Sequence, residues 1–170
     1  PALTALAIAG AVSAGDAAKL LRTRGKAMQA AVPIGIGAMA ALIGLDFETV
    51  SKVAKEAAEY EVCEAANDND PAQVVVSGHK GAVDRAIKLA KEYGAKRAVL
   101  LPVSAPFHCS LMAHAGEVME KALLETKFQT PKVPLVANVL AEAVSNPDTI
   151  KKLLVKQITG AVRWRESVIW

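Results

Sequence analysis

Pro102-Val-Ser-Ala-Pro-Phe-His-Cys-Ser-Leu-Met112 is the stretch around which the chain is organised. It follows a strand-like run, Arg97 to Leu101, and its prolines at 102 and 106 stand four residues apart. Each proline fixes its own φ and drives its predecessor out of the helical region, so the segment is a stiff elbow. His108 comes next, and a helical pattern then begins with Leu111, Met112, Ala115, Val118 and Met119. A histidine between a strand end and a helix start stands where α/β enzymes present catalytic groups. Imidazole meets the pKa requirement of a general base with little tuning. The same place also suits a histidine that fills a first turn and hydrogen-bonds backbone.

Upstream of the elbow, residues 36–102 read as a unit of their own. Ile36–Ile43 is a small-residue apolar strand, and Asp46 caps a helix to about Tyr60. Val62–Ala66 is strand-like, Asn67-Asp-Asn-Asp-Pro71 is a dense turn signal, and Gln73–Ser77 is a β-branched strand. A helix opened by Ser77-Gly78 stops at Gly94, and Arg97–Leu101 closes the unit. The order β-α-β-β-α-β is that of a ferredoxin-like subdomain. Residues 1–35 and 103–170 flank it, so it reads as an insertion into a larger, incomplete α/β body. After the elbow the pattern predicts a helix over about 109–125, a strand Val133–Asn138, a turn at Ser145-Asn-Pro147 and a helix over about 148–158.

The N-terminal body holds a second candidate. Residues 2–11 read as an apolar helix. Ser13 caps the next one, with Asp16 in the style of a capping box, and it stops before Pro33. Ala17, Leu20, Leu21 and Met28 form its apolar face, and Arg24 falls on that face while Lys19, Arg22 and Lys26 fall opposite. A guanidinium on a buried stripe cannot shed its proton and needs an anion nearby. Two readings stand: an internal carboxylate partner or a snorkelling stem, and a bidentate seat for a substrate carboxylate.

Composition narrows the class. Apolar residues are 52% and aromatics only 4%, which favours helices packed closely on a sheet. The 20 basic and 17 acidic residues are scattered, with no basic block, so nucleic acid is not implied. Cys63 and Cys109 form no CxxC, no zinc spacing occurs, and a reduced cytoplasmic setting is expected. The apolar run Ala2–Val12 is too short to span a bilayer and lacks a basic n-region. Both ends read as cut through structure, so a fragment is expected. His79 and His114 are expected to be structural or exposed. No G-x-S-x-G occurs, and Ser104, Cys109 and Ser110 are too close in sequence to His108 to be convincing nucleophilic partners.

Taken together, these stretches resemble the malonyl-CoA:acyl carrier protein transacylase family. The resemblance is carried by Arg24-Gly-Lys-Ala-Met28-Gln-Ala-Ala-Val-Pro33, Gly37-Ala-Met39, and Ala66-Asn67-x-Asn69-x-Pro71-x-Gln73-Val-Val-Val-Ser-Gly78. It continues in Val103-Ser-Ala-Pro-Phe-His108-Cys-Ser-Leu-Met112, Val136-Ala-Asn138, Val155-Lys-Gln157 and Val162-Arg-Trp164. It implies a partial α/β-hydrolase-like acyltransferase body and a ping-pong malonyl transfer in fatty acid biosynthesis. The malonyl group passes from coenzyme A through an acyl-serine to the phosphopantetheine thiol of acyl carrier protein. His108 matches the general base, Gln157 the residue whose main-chain carbonyl orients it, and Arg24 the clamp on the malonyl carboxylate. Met28, Asn67 and Asn69 are counted with the substrate-binding residues, and Phe107 resembles the residue that excludes branched acyl groups. No cofactor, metal, nucleic-acid or membrane partner is implied, and a monomer is expected. The serine elbow that the resemblance implies is not in this sequence, so the chain alone is expected to lack turnover. Ala72 in place of the usual glycine, with Asp68 and Asp70, departs from the pattern. A polyketide synthase acyltransferase domain and a non-catalytic ferredoxin-like interaction module are the rival readings.

Overall fold

A computed structural model of the chain describes residues 2–170. Helices α1 (Ala2–Ile8) and α2 (Ala14–Ala31) come first, followed by β1 (Gly37–Ile43), α3 (Phe47–Ala58), β2 (Cys63–Asp70), β3 (Gln73–His79), α4 (Lys80–Glu92) and β4 (Arg97–Leu100). After the elbow come a 3-10 turn (Ser110–Met112), α5 (Ala113–Glu125), β5 (Leu135–Ala137), β6 (Glu142–Val144), α6 (Pro147–Thr159) and α7 (Trp164–Ile169). The chain is an α/β protein.

Helix starts follow local chemistry. Ser13, Asp46 and Asn146 each accept a hydrogen bond from the backbone N–H three residues on, and Pro147 occupies the first turn of α6. The main sheet has the order β2-β3-β1-β4 with every neighbouring pair antiparallel. Alternation sorts its two faces. Ala38, Ala40 and Leu42 of β1 with Val74 and Val76 of β3 pack against Val50, Val53, Ala57, Val83 and Ala86 of α3 and α4. Burying each of those valines contributes roughly 1.5–3 kcal/mol. On the other face, Met39, Ala41, Ala66 and Val75 meet Leu101 and Phe107 of the elbow. A separate core lies in a helical layer in which α2, α5 and α6 share Leu20, Met28, Met119, Leu123 and Ile158 with Ala105 and Met112. Phe107 touches both cores.

Three expectations change. Asn67–Pro71 is not a turn: β2 runs through Asp70, and only Pro71-Ala72 link it to β3. The strand persists because its far edge also pairs, with Asn67 bridged to Val162 in parallel. A long-range partner therefore overrides turn propensity. Second, β3 continues to His79, whose ring Nδ1 accepts the Val62 N–H at 2.9 Å, so α4 starts only at Lys80. Third, the strand expected over Val133–Asn138 is confined to Leu135–Ala137, and it pairs with β6, for which the sequence pattern gives no element.

The elbow rests on β1 through a glycine. A Cβ built at Gly37 would clash with the Pro106 ring atoms Cγ, Cδ and Cβ. Gly37→Ala is therefore expected to destabilise the protein by about 1–3 kcal/mol, the usual cost of overpacking, as read by urea unfolding. Unchanged stability would mean that the Pro106 contact gives way freely.

Candidate active site

Gln157 lies in the last turn of α6, where a carbonyl has no partner four residues ahead inside the helix. That carbonyl meets His108 Nδ1 at 2.9 Å. A carbonyl only accepts, so Nδ1 carries the proton and Nε2 is left with its lone pair. This is the tautomer of a base. The Gln157 side chain is occupied elsewhere: its Nε2 donates to the carbonyls of Gly160 (2.9 Å) and Ala161 (3.2 Å), which pins the turn after the helix.

His108 adopts φ 61°, an uncommon value for a residue with a Cβ. Proline stiffness before it and the 3-10 turn after it hold this geometry. Glu64 of β2 secures the far side by accepting from both the Ser110 N–H (3.2 Å) and its hydroxyl (2.5 Å). Burial lowers the His108 pKa, the Gln157 hydrogen bond opposes that, and the Arg24 guanidinium adds to the lowering. The ring is therefore neutral at physiological pH.

His108, Gln157, Arg24, Asn67 and Asn69 line one cleft of about 520 Å³, together with Leu21, Leu153, Leu154 and Trp164. Five of the seven residues singled out from the sequence thus converge. Met28 is buried in the helical core and Phe107 is half-buried between the two cores, and neither lines the cleft. The stripe on α2 also splits: Ala17, Leu20 and Met28 are buried, whereas Leu21 is 41% exposed and turns with Arg24 toward the cleft. Among the described residues, Arg24 has no carboxylate within 4.0 Å and no hydrogen-bond acceptor, and burial lowers its pKa. A guanidinium still stays charged. The internal-partner reading of Arg24 fails on this geometry.

Cys109 is no nucleophile. Its thiol is buried, donates to the Pro106 carbonyl at 3.2 Å, and burial pushes its pKa up to about 11. Ser104 donates to Gln29 at 2.7 Å and Ser110 to Glu64, and no serine, threonine or cysteine among the described residues lines the cleft. No cluster of three or more His, Cys, Asp or Glu among those residues is placed to hold a metal, and no helix is long and apolar enough to cross a membrane.

Sequence reasoning missed Trp164 and Gln73 as cleft residues, and it missed the Asp68–Arg165 pair. Trp164 is one of 2 tryptophans in an aromatic-poor chain, which is a usable signal. Asp68 gave none, because its burial depends on a strand that reads as a turn.

The base can be tested without catalysis. Because the folded state disfavours imidazolium, the unfolded chain takes up the proton first as pH falls. The His108 contribution to stability is thus complete above about pH 6.5 and lost as pH drops toward the lower native value. Urea unfolding at stepped pH should show this loss in the natural chain and a flatter profile in His108→Gln. Equal profiles would contradict a depressed pKa.

Known proteins resemble the chain over nearly its whole length. The family model described as an acyl transferase domain matches residues 2–169. The malonyl CoA-acyl carrier protein transacylase of Escherichia coli (strain K12) is 47% identical over 165 residues, covering 97% of this chain and 53% of that protein. The crystal structure of acyl-carrier-protein-S-malonyltransferase from Bartonella henselae superposes with a TM-score of 0.95 at 52% identity, covering 99% of this chain and 54% of that one. A malonyl-transacylase in complex with its type II PKS acyl-carrier protein gives a TM-score of 0.96 at 41% identity, covering 98% and 54%. The chain spans about half the length of the curated relatives it matches. It belongs to the acyl transferase domain family, among relatives named malonyl CoA-acyl carrier protein transacylases.

Proposed function

We propose that this chain supplies the base and the carboxylate seat of a malonyl-CoA:acyl carrier protein transacylase. The observation that carries the reading is the pairing, in one cleft, of an oriented neutral His108 with an unpartnered Arg24 guanidinium. A base alone suits many reactions; a base beside a half-buried cation with no carboxylate partner among the described residues suits acyl transfer from a thioester whose acyl group ends in a carboxylate. The relatives' names point the same way.

In this reading His108 Nε2 takes the proton of a serine hydroxyl as that oxygen attacks the malonyl thioester carbonyl. The C–S bond then breaks, and the coenzyme A thiolate leaves with that proton. In the second half the carrier's phosphopantetheine thiol gives its proton to Nε2 and attacks the acyl ester, and the serine recovers its hydrogen. The Gln157 carbonyl and the negative end of the α6 dipole stabilise the imidazolium formed in each half, in place of a carboxylate. The serine is assigned to a part of the protein outside these 170 residues, since none lines the cleft. Asn67 and Asn69 offer amides to the donor. No cofactor enters these steps. Residues 36–102 are proposed to form a separate folding unit within the acyltransferase body.

The experiment uses a full-length protein that contains this chain. His108→Ala is expected to slow transfer by about 10²–10⁴-fold, the usual worth of a general base. In competition between malonyl-CoA and acetyl-CoA, Arg24→Ala should lose malonyl transfer and gain acetyl transfer, because the uncompensated cation no longer penalises the neutral donor. Arg24→Lys should recover only part, since a point charge lacks the two-pronged grip. Equal slowing of both donors in Arg24→Ala would make the arginine structural and sink the carboxylate-seat reading.

A further inference from the structure

We propose that Asp68 and Arg165 form a positioning pair that sets the Asn67–Asn69 wall of the cleft. The inference rests on the acyl-transfer reading, and it adds residues to which that reading gives no role.

β2 is irregular where it borders the cleft. Its ladder with β3 breaks register twice, between Ala65 and Asn67 and again between Asp68 and Asp70. Asn67 and Asp68 therefore lie between two irregularities and Asn69 falls within the second, so the sheet ladder by itself specifies the position of the two cleft asparagines poorly. The missing constraint comes from the opposite edge. Asp68 N–H donates to the Val162 carbonyl at 2.9 Å, and Val162 N–H donates to the Ala66 carbonyl at 2.8 Å.

A side-chain clamp lies on the same short stretch. Asn67 and Asn69 line the cleft, whereas Asp68 does not and is buried. Asp68 is 1% exposed, one of only two buried polar or charged residues in the chain's described part. Arg165, at the start of α7, grips both of its carboxylate oxygens: Nε lies at 3.1 Å from each, and a terminal nitrogen lies at 2.9 Å from Oδ2. A two-pronged contact of this kind fixes orientation as well as distance. A buried carboxylate is costly unless paired, so its retention at this spot requires the arginine. The neighbouring Trp164 lines the cleft, so the pair locks two walls to one another. Arg165 touches no cleft atom itself; it acts through Asp68 on the two asparagines.

The test reads positioning and turnover separately. In the 170-residue chain, NMR follows the side-chain amide signals of Asn67 and Asn69 in Arg165→Gln and Arg165→Lys. In a full-length protein containing the chain, KM and kcat for malonyl-CoA are measured in the same variants. Arg165→Gln is expected to shift both amide signals and to raise KM about tenfold, with kcat and its pH profile within about twofold. Arg165→Lys should recover part of the KM change. Arg165→Gln leaves a buried charge unpaired, so Asp68→Asn/Arg165→Gln, which removes both charges, is the variant read if the single one unfolds. Unmoved amide signals in a folded variant overturn the proposal, as does an unchanged KM, or a fall in kcat that follows loss of thermal stability alone. If the amide signals and KM respond while Arg24→Ala leaves donor selectivity intact, the pair stands and the carboxylate-seat reading falls.

Discussion

The hydrogen bond from His108 Nδ1 to the Gln157 carbonyl is the contact on which the site depends. It exists because α6 ends where it does: had the helix run one turn further, the Gln157 carbonyl would be consumed by it. Several features converge on keeping it. Asn146 and Pro147 fix where α6 begins, the Gln157 side chain holds the turn beyond its end, and the elbow delivers His108 at a left-handed φ. Uncommon backbone geometry of this kind persists only when its surroundings over-determine it. Here prolines on one side and the Glu64–Ser110 contact on the other do so.

The same cleft holds its opposite, a charge with no carboxylate within 4.0 Å among the described residues. A half-buried guanidinium without a carboxylate costs folding stability, and core packing gains nothing from it. Arg163 and Arg165, by contrast, both reach glutamate or aspartate partners. That difference separates Arg24, which the proposed function assigns to a substrate carboxylate, from arginines that hold the fold. The neutral histidine and the cation also support one another chemically: Arg24 lowers the His108 pKa and so helps keep the base unprotonated.

β2 borders both the sheet and the cleft. Within six residues it gives Glu64 to the elbow, Ala66 and Asp68 to the Val162 strand edge, and Asn67 and Asn69 to the cleft. A strand with period-two alternation can serve opposite faces in this way, which a loop at the same place would do with far less precision.

Sequence by itself determined the local elements and the chemistry of single residues. The caps at Ser13, Asp46 and Asn146, the apolar faces of α3 and α4, the elbow prolines and the basic character of His108 all follow from interactions within a few positions. Arg24 stood out because a charge on an apolar period is anomalous wherever the chain goes. What only the tertiary structure decided is what long-range contact decides: β2 running through Asn67–Asp70, Leu21 leaving the apolar stripe for the cleft, Met28 going to the core, and Asp68 being buried. Each depends on a partner distant in the chain, Val162 for the strand and Arg165 for the carboxylate. Asp68–Arg165 is 97 residues apart. Local propensity at Asn-Asp-Asn-Asp-Pro favours a turn by tenths of a kcal/mol to about one, and pairing on both strand edges outweighs it.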